Sequence, residues 1–339
     1  MEDGNRLTTV LFIFQRPEVW AVILIAALLA VFLRFCIYRR RKLAKEQDGK
    51  GGEKGEVLEG DPILLKPQDP AAYRDTEMQM PEQEHLEHLL YMGKTQGVGK
   101  RADQQDHMVL SEEKASASTD GKGIFALVAD GMGGLTDGGK VSQMTGEIML
   151  ATFMSQKQTI SADQLLLSML YKANSEIKKH FGVRRSGSTM AGVIVRGHDL
   201  YWAAVGDSRI CLWRKGQLVQ VNREHIYGEE LDRQARKGEI SREQAQSHPQ
   251  RGALTSFIGM GDIGQIDRNI RPFRLLPGDR ILLMTDGVFR TLNDLEISEI
   301  LKQPVMAAAE ALERMIRVKD RQNQDNYTAV ILEYREGER

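Results

Sequence analysis

Apolar and polar positions divide this chain into three regions before any motif is considered. From Val19 to Tyr38 the run VWAVILIAALLAVFLRFCIY is apolar except at Arg34. From residue 43 to about 82 the pattern lapses into EQDGKGGEKGEVLEGD and KPQDPAAYRDTEMQMPEQE, polar stretches poor in aromatic residues. Such a segment cannot bury enough apolar surface to fold, and it reads as a tether. Beyond residue 84 periodicity returns. Short runs rich in branched side chains predict strands at Ile124–Ala129, Met190–Arg196, Leu200–Val205, Arg209–Trp213, Arg280–Thr285 and Tyr327–Tyr334. Helical spacing predicts Val141–Met154, Ser161–His180, Gly228–Lys237, Ser241–Gln246, Asn293–Leu301 and Val305–Val318. Ser161 is placed to cap the second of these helices and Gly238 to end the third. Tight turns at Gly197-His198 and Lys215-Gly216 would join consecutive antiparallel strands. Strand runs beside segregated helix pairs predict an α+β layered domain, not alternating βαβ units.

The apolar run at 19–38 is long enough, as a helix of about 30 Å, to cross a bilayer core. Arg34 lies near its end, where a long side chain reaches the headgroups. Directly after it come Arg39, Arg40, Arg41, Lys42 and Lys45, against only Arg6 and Arg16 before it. That asymmetry predicts an uncleaved anchor with its C-terminal side in the cytoplasm, at the inner (plasma) membrane. A cleaved signal peptide fits less well, because no A-x-A-like site precedes the basic cluster. The expected organisation is an N-terminal segment 1–18, a transmembrane helix 19–38, a basic and polar linker 39–83, and a folded domain 84–335. A formal net charge of -1 gives no argument for nucleic acid. Two cysteines, Cys36 and Cys211, do not make a disulfide framework.

The candidate chemistry lies in aspartates at strand ends. FALVADG ends a strand at Asp130, YWAAVGDSR at Asp207 and RILLMTDGV at Asp286, while NQDNYTAVILEY begins one at Asp325 and RADQQDHMVLS another at Asp106. Any one of these is an ordinary turn signal. Five carboxylates abutting buried strands are better explained as a cluster, and clustered carboxylates need protons or cations to coexist. Oxygen donors suit Mg²⁺ or Mn²⁺. No Cys/His grouping has zinc-like spacing, and a two-ion carboxylate site suits phosphate-ester hydrolysis.

The ordered set RADQQD, VADGMGG, SGSTMAGVIV, VGDSR, ALTSFIG, LLMTDGV and DNYTAVIL resembles the metal-dependent protein phosphatase 2C family of serine/threonine phosphatases, its bacterial branch in particular. The resemblance spans roughly residues 85–335. It implies an αββα sandwich of two antiparallel sheets flanked by helices, with a flap subdomain at about 222–253. It implies two Mn²⁺ or Mg²⁺ ions bridged by Asp130, with the Gly131 carbonyl on the first and Asp286 and Asp325 on the second. Asp106 would support the cluster through water, and Arg101 would hold the substrate phosphate. Asp207, with Asp286, would bind a weaker third ion. The implied reaction is attack of a metal-bridging hydroxide on phosphoserine or phosphothreonine proteins. It would reverse a cognate Ser/Thr kinase or act on one regulatory phosphoprotein, in a catalytic domain expected to be monomeric.

Three positions depart from the family pattern. Met132 stands where many eukaryotic relatives have a histidine, Gln104 or Gln105 where asparagine is common, and Arg290 where relatives commonly carry another aspartate. The last counts against the third ion. A dinucleotide site at VADGMGGLTDGG fails on spacing, since Thr136 occupies the third glycine position. A membrane-anchored scaffold that binds phosphoproteins without catalysis is the non-enzymatic alternative.

Overall fold

The computed structural model describes residues 86–112, 114–132, 137–156, 160–182 and 186–338. The expected anchor at 19–38 and linker at 39–83 lie outside the described residues. Among those described, no helix is long and apolar enough to cross a membrane. In chain order the first strands are β1 (Leu86–Gly97), β2 (Asp106–Leu110), β3 (Ser116–Ser118) and β4 (Ile124–Met132). Two long helices follow, α1 (Gly138–Ser155) and α2 (Ala162–Phe181). Then come β5 (Gly187–Ser188), β6 (Met190–Arg196), β7 (Asp199–Val205), β8 (Arg209–Arg214) and β9 (Gln217–Gln220). A helical hairpin, α3 (Tyr227–Lys237) and α4 (Arg242–Ser247), precedes β10 (Asp267–Arg268), β11 (Phe273–Arg274) and β12 (Arg280–Met284). The chain closes with α5 (Asp286–Phe289), α6 (Asp294–Ile300), α7 (Val305–Lys319) and β13 (Tyr327–Glu338).

Alternation within single strands divides the core into three apolar layers. In β4, Phe125, Leu127 and Ala129 face α1 and α2, while Ile124, Ala126 and Val128 face the opposite sheet. In β13, Val330, Leu332 and Tyr334 enter that same middle layer, and Tyr327, Ala329 and Ile331 pack under α6 and α7. Both faces of each central strand are therefore buried. This is why they read as unbroken apolar runs and not as alternating ones. One sheet has the order β3-β1-β13-β12-β8-β9, and the other β10-β7-β6-β4-β2 with β11 on β7 and β5 on β4; all pairs are antiparallel. The expected α+β sandwich of two antiparallel sheets flanked by helices is what forms.

The local signals hold with three exceptions. Gly197 (φ 57°), Lys215 (φ 51°) and Gly216 (φ 82°) turn the two hairpins where expected, and Gly238 ends α3 at φ 76°. Ser161 sits at the N-cap of α2, but its hydroxyl accepts no capping hydrogen bond. The strand expected to stop at Ala129 runs on through Met132, because Gly131 and Met132 pair with Ser188 and Gly187 of β5. Asp325 does not begin a strand: β13 starts at Tyr327, and Asp325 belongs to the turn before it.

Candidate functional site

One carboxylate joins the two sheets. Asp106 opens β2 in one sheet, and its Oδ2 accepts hydrogen bonds from the hydroxyls of Thr285 (2.7 Å), just past β12, and Thr328 (2.9 Å), in β13 of the other. Beside it, the Gln105 N–H donates to Asn326 Oδ1 at 2.8 Å, and the Asn326 amide donates to the carbonyls of Val98 (2.8 Å) and Asp103 (3.1 Å). These bonds tie the segment carrying Arg101 and Asp106 to the segment carrying Asp325. Asp130 lies directly across the ladder from Asp106. Its backbone is held by Thr189, whose hydroxyl accepts from the Asp130 N–H at 2.9 Å and is in turn hydrogen-bonded to Ser208 at 2.7 Å.

Two glycines make this convergence sterically possible. A Cβ on Gly131 would run into the carbonyl of Gly138 at the start of α1 and lie 2.7 Å from the Gln105 carbonyl oxygen. A Cβ on Gly287 would collide with the carbonyl of Asn326. Gly131 thus serves close backbone approach.

A cavity of about 410 Å³ opens at this junction, and its wall includes Arg101, Asp130, Gly131, Asp207, Asp286 and Asp325. Six of the seven expected site residues line it, and Asp106 lies beneath. Gln105, Met132, Thr189, Asn326 and Arg290 add to the wall on the sheet side. Gly252 and Leu254, just after the α3–α4 hairpin, and Phe257 close the other.

Burial and mutual repulsion dominate the electrostatics. Desolvation, opposed by its two hydroxyl donors and reinforced by Asp286 and Asp325, pushes the Asp106 carboxyl up to about 7. Asp130 is held well above the carboxylate range by burial, then by Asp106, Asp286, Asp207 and Asp325. Asp207 rises to about 6 through burial and Asp286, partly offset by Arg290. Asp286 is raised by burial and Asp325 despite Arg290.

The carboxylates do not converge on one point. Among the described residues, no three Asp, Glu, His or Cys side chains form a ready ion cage. Three are drawn toward guanidiniums instead: Asp325 Oδ2 toward Arg101 at 2.7 Å, and Asp286 and Asp207 toward Arg290 at 3.2 and 3.4 Å. Two oxygens are left over. Asp106 Oδ1 and Asp286 Oδ1 are buried with no hydrogen-bond partner. Hard oxygen donors in excess of donors to them, with two oxygens orphaned, fit divalent cations. Sequence reasoning did not single out Thr189, Thr285, Thr328 and Asn326 as holding this arrangement, although all four lie inside the motifs quoted.

The serine/threonine phosphatase stp of Listeria monocytogenes is 28% identical over 216 residues, covering 62% of this chain and 84% of that protein. The solved serine/threonine phosphatase of S. agalactiae, 23% identical, superposes with a TM-score of 0.61 over 72% of this chain and 99% of that one, which shows a shared fold. The catalytic domain of the serine threonine protein phosphatase PstP, solved in complex with two manganese ions, shares the fold at a TM-score of 0.58 and 22% identity, over 73% and 99% of the two chains. The Protein phosphatase 2C family model matches residues 102–329, a span from just after Arg101 to just past Asp325. With the fold, the aspartates and the motif order all in place across that span, this chain belongs to the protein phosphatase 2C family of protein serine/threonine phosphatases.

Proposed function

We propose that the chain dephosphorylates phosphoserine and phosphothreonine in proteins with the help of two Mn²⁺ or Mg²⁺ ions. The charge balance of the site carries this reading: five aspartates from separate segments gather there, and the two guanidiniums, Arg101 and Arg290, pair with only three of them, Asp325, Asp207 and Asp286. A desolvated site with more negative than positive side chains takes up protons or cations, and its all-oxygen donor set favours hard ions. Asp130, Asp286 and Asp325, with the Gly131 carbonyl, are the groups that would hold the ions, and Asp106 would steady them from beneath. Bound there, such ions supply positive charge to the phosphoryl oxygens and make water acidic enough to ionise near neutral pH.

The chain's own residues have distinct tasks in this scheme. Arg101, 60% exposed at the cavity wall, offers a planar fork to two phosphate oxygens, and Asp325 holds that fork in place beforehand. Water attacks phosphorus, the ester P–O bond breaks, and the serine or threonine alcohol leaves with a proton. Met132 carries no acidic proton and is not its donor. The same proposal sets residues 19–38 across the inner membrane. The phosphatase domain then lies on the cytoplasmic side and meets substrates near that surface, phosphorylated by a Ser/Thr kinase.

The test is phosphate release from a phosphothreonine peptide by the full chain, with Mn²⁺ or with EDTA, beside Asp286→Ala. Release that needs Mn²⁺ and is lost in the variant supports the proposal. Folded protein that releases nothing with any divalent ion would leave the phosphoprotein-binding scaffold in its place.

A further inference from the structure

Arg290 stands four residues after Asp286, and the single turn of α5 carries its side chain back over that aspartate. The Arg290 N–H donates to the Asp286 carbonyl at 2.8 Å. Its Nε lies 3.2 Å from Asp286 Oδ2, and a terminal nitrogen lies 3.4 Å from Asp207 Oδ2. Asp207 comes from another part of the fold, the turn between β7 and β8. One guanidinium therefore spans two carboxylates that the chain brings together from different segments.

The surroundings leave Arg290 as their counter-charge. The Asp207 and Asp286 side chains are only 10% and 12% exposed, so their charge cannot be left to solvent. Arg209, two residues after Asp207, is committed elsewhere: it pairs with Glu224 at 2.6 Å and stacks on Phe289 at 3.8 Å. Among the described residues Asp207 has no other ion pair. Asp286 gives Arg290 only Oδ2, and Oδ1 stays buried without a partner. Asp286 can thus serve an ion with one oxygen and keep its guanidinium on the other.

We propose that Arg290 is a cation tethered by the chain where a divalent ion would otherwise sit between Asp207 and Asp286. Asp207 then holds the guanidinium and not a metal, and the ion count is set by Asp130, Asp286 and Asp325. This rests on the metal-dependent reading above. A guanidinium stays charged at every working pH and never dissociates from the chain. That side of the cavity is therefore independent of the free divalent concentration.

The test counts Mn²⁺ bound to the purified full chain, by calorimetric titration and by the electron paramagnetic resonance of free Mn²⁺. Asp207→Asn should bind the same number of ions as the wild type. Arg290→Asp, which replaces the cation by a further carboxylate, should bind one more, and Arg290→Lys should bind no more. Loss of an ion in Asp207→Asn would overturn the proposal, as would an unchanged count in folded Arg290→Asp. The Asp207→Asn count decides alone if Arg290→Asp proves unfolded by circular dichroism. A wild type that binds no Mn²⁺ at all would remove the metal-dependent reading as well, an outcome distinct from failure of the inference alone.

Discussion

Asp106 and Asp130 are register partners across the β2–β4 ladder, two carboxylates set opposite each other in the heart of the site. Like charges directly opposite destabilise a sheet. The metal-free protein relieves this by holding protons. Asp106 binds its proton up to about pH 7 in the folded state, against an ordinary value of 3.8. Between those values the folded chain carries a proton that the unfolded chain has lost, so stability falls as pH rises through that window and levels off above it. Thermal melts in EDTA should give a higher midpoint at pH 5.5 than at pH 8. Asp106→Asn should reduce the difference, and a wild type that differs from Asp106→Asn by the same margin at pH 8 as at pH 5.5 would refute the assignment. Mn²⁺ should raise the midpoint most at pH 8, where the protons are gone.

Arg101 and Asp325 make a second testable pair. Their 2.7 Å contact is largely exposed, so it contributes little to stability. Its value lies in presenting the guanidinium. A hydrogen bond to a charged group contributes about 1.5–3 kcal/mol. Arg101→Ala should therefore raise KM for a phosphopeptide about 10- to 100-fold while leaving the melting temperature nearly unchanged. Arg101→Lys should recover part of the loss, since it keeps the charge and not the fork. Unaltered KM in Arg101→Ala would show that the phosphate is held elsewhere.

Gly131 and Gly264 offer a contrast in backbone crowding. A Cβ at Gly131 would meet the Gly138 carbonyl and force β4 and α1 apart, whereas a Cβ at Gly264 would meet nothing within 4 Å. Gly131→Ala should cost about 1–3 kcal/mol, as overpacking does, and should also displace the Gly131 carbonyl. Gly264→Ala should stay within about 0.5 kcal/mol of the wild type. Urea denaturation of both variants, with comparable m-values, would measure the difference.

Much of this was legible in the sequence, and the limits have physical causes. The central strands announced themselves because helices cover one face and the partner sheet the other, which leaves no polar alternation to confuse them. The five aspartates stood out because each lies at or near an end of such a run. What could not be read was the support beneath them. Thr285 and Thr328 are unremarkable in a sequence; they become donors to Asp106 only because β12 and β13 pair and bring their ends beside β2. The extension of β4 through Met132 was hidden for the same reason. Its partner, Gly187–Ser188, is distant in the chain, and glycines in sequence look like a turn. Even Arg290, noticed as a departure from the family pattern, could not be joined to Asp207 until the fold placed them 3.4 Å apart.

Cys211 tests the packing of the layer under α6 and α7. Its side chain lies in β8 beneath those helices at 3% exposure, and burial pushes its thiol up to about 12. Only the thiolate attacks a disulfide reagent, so a thiol both neutral and covered should be inert. With Cys36 removed as Cys36→Ser, the folded protein should not react with Ellman's reagent at pH 8. In denaturant, one thiol per chain should titrate at once. Slow labelling of the native protein should follow its unfolding rate and speed up in Leu282→Ala, which opens a cavity in the same layer and costs about 2–5 kcal/mol. Rapid labelling of the folded wild type would mean that α6 and α7 do not cover β8 in solution.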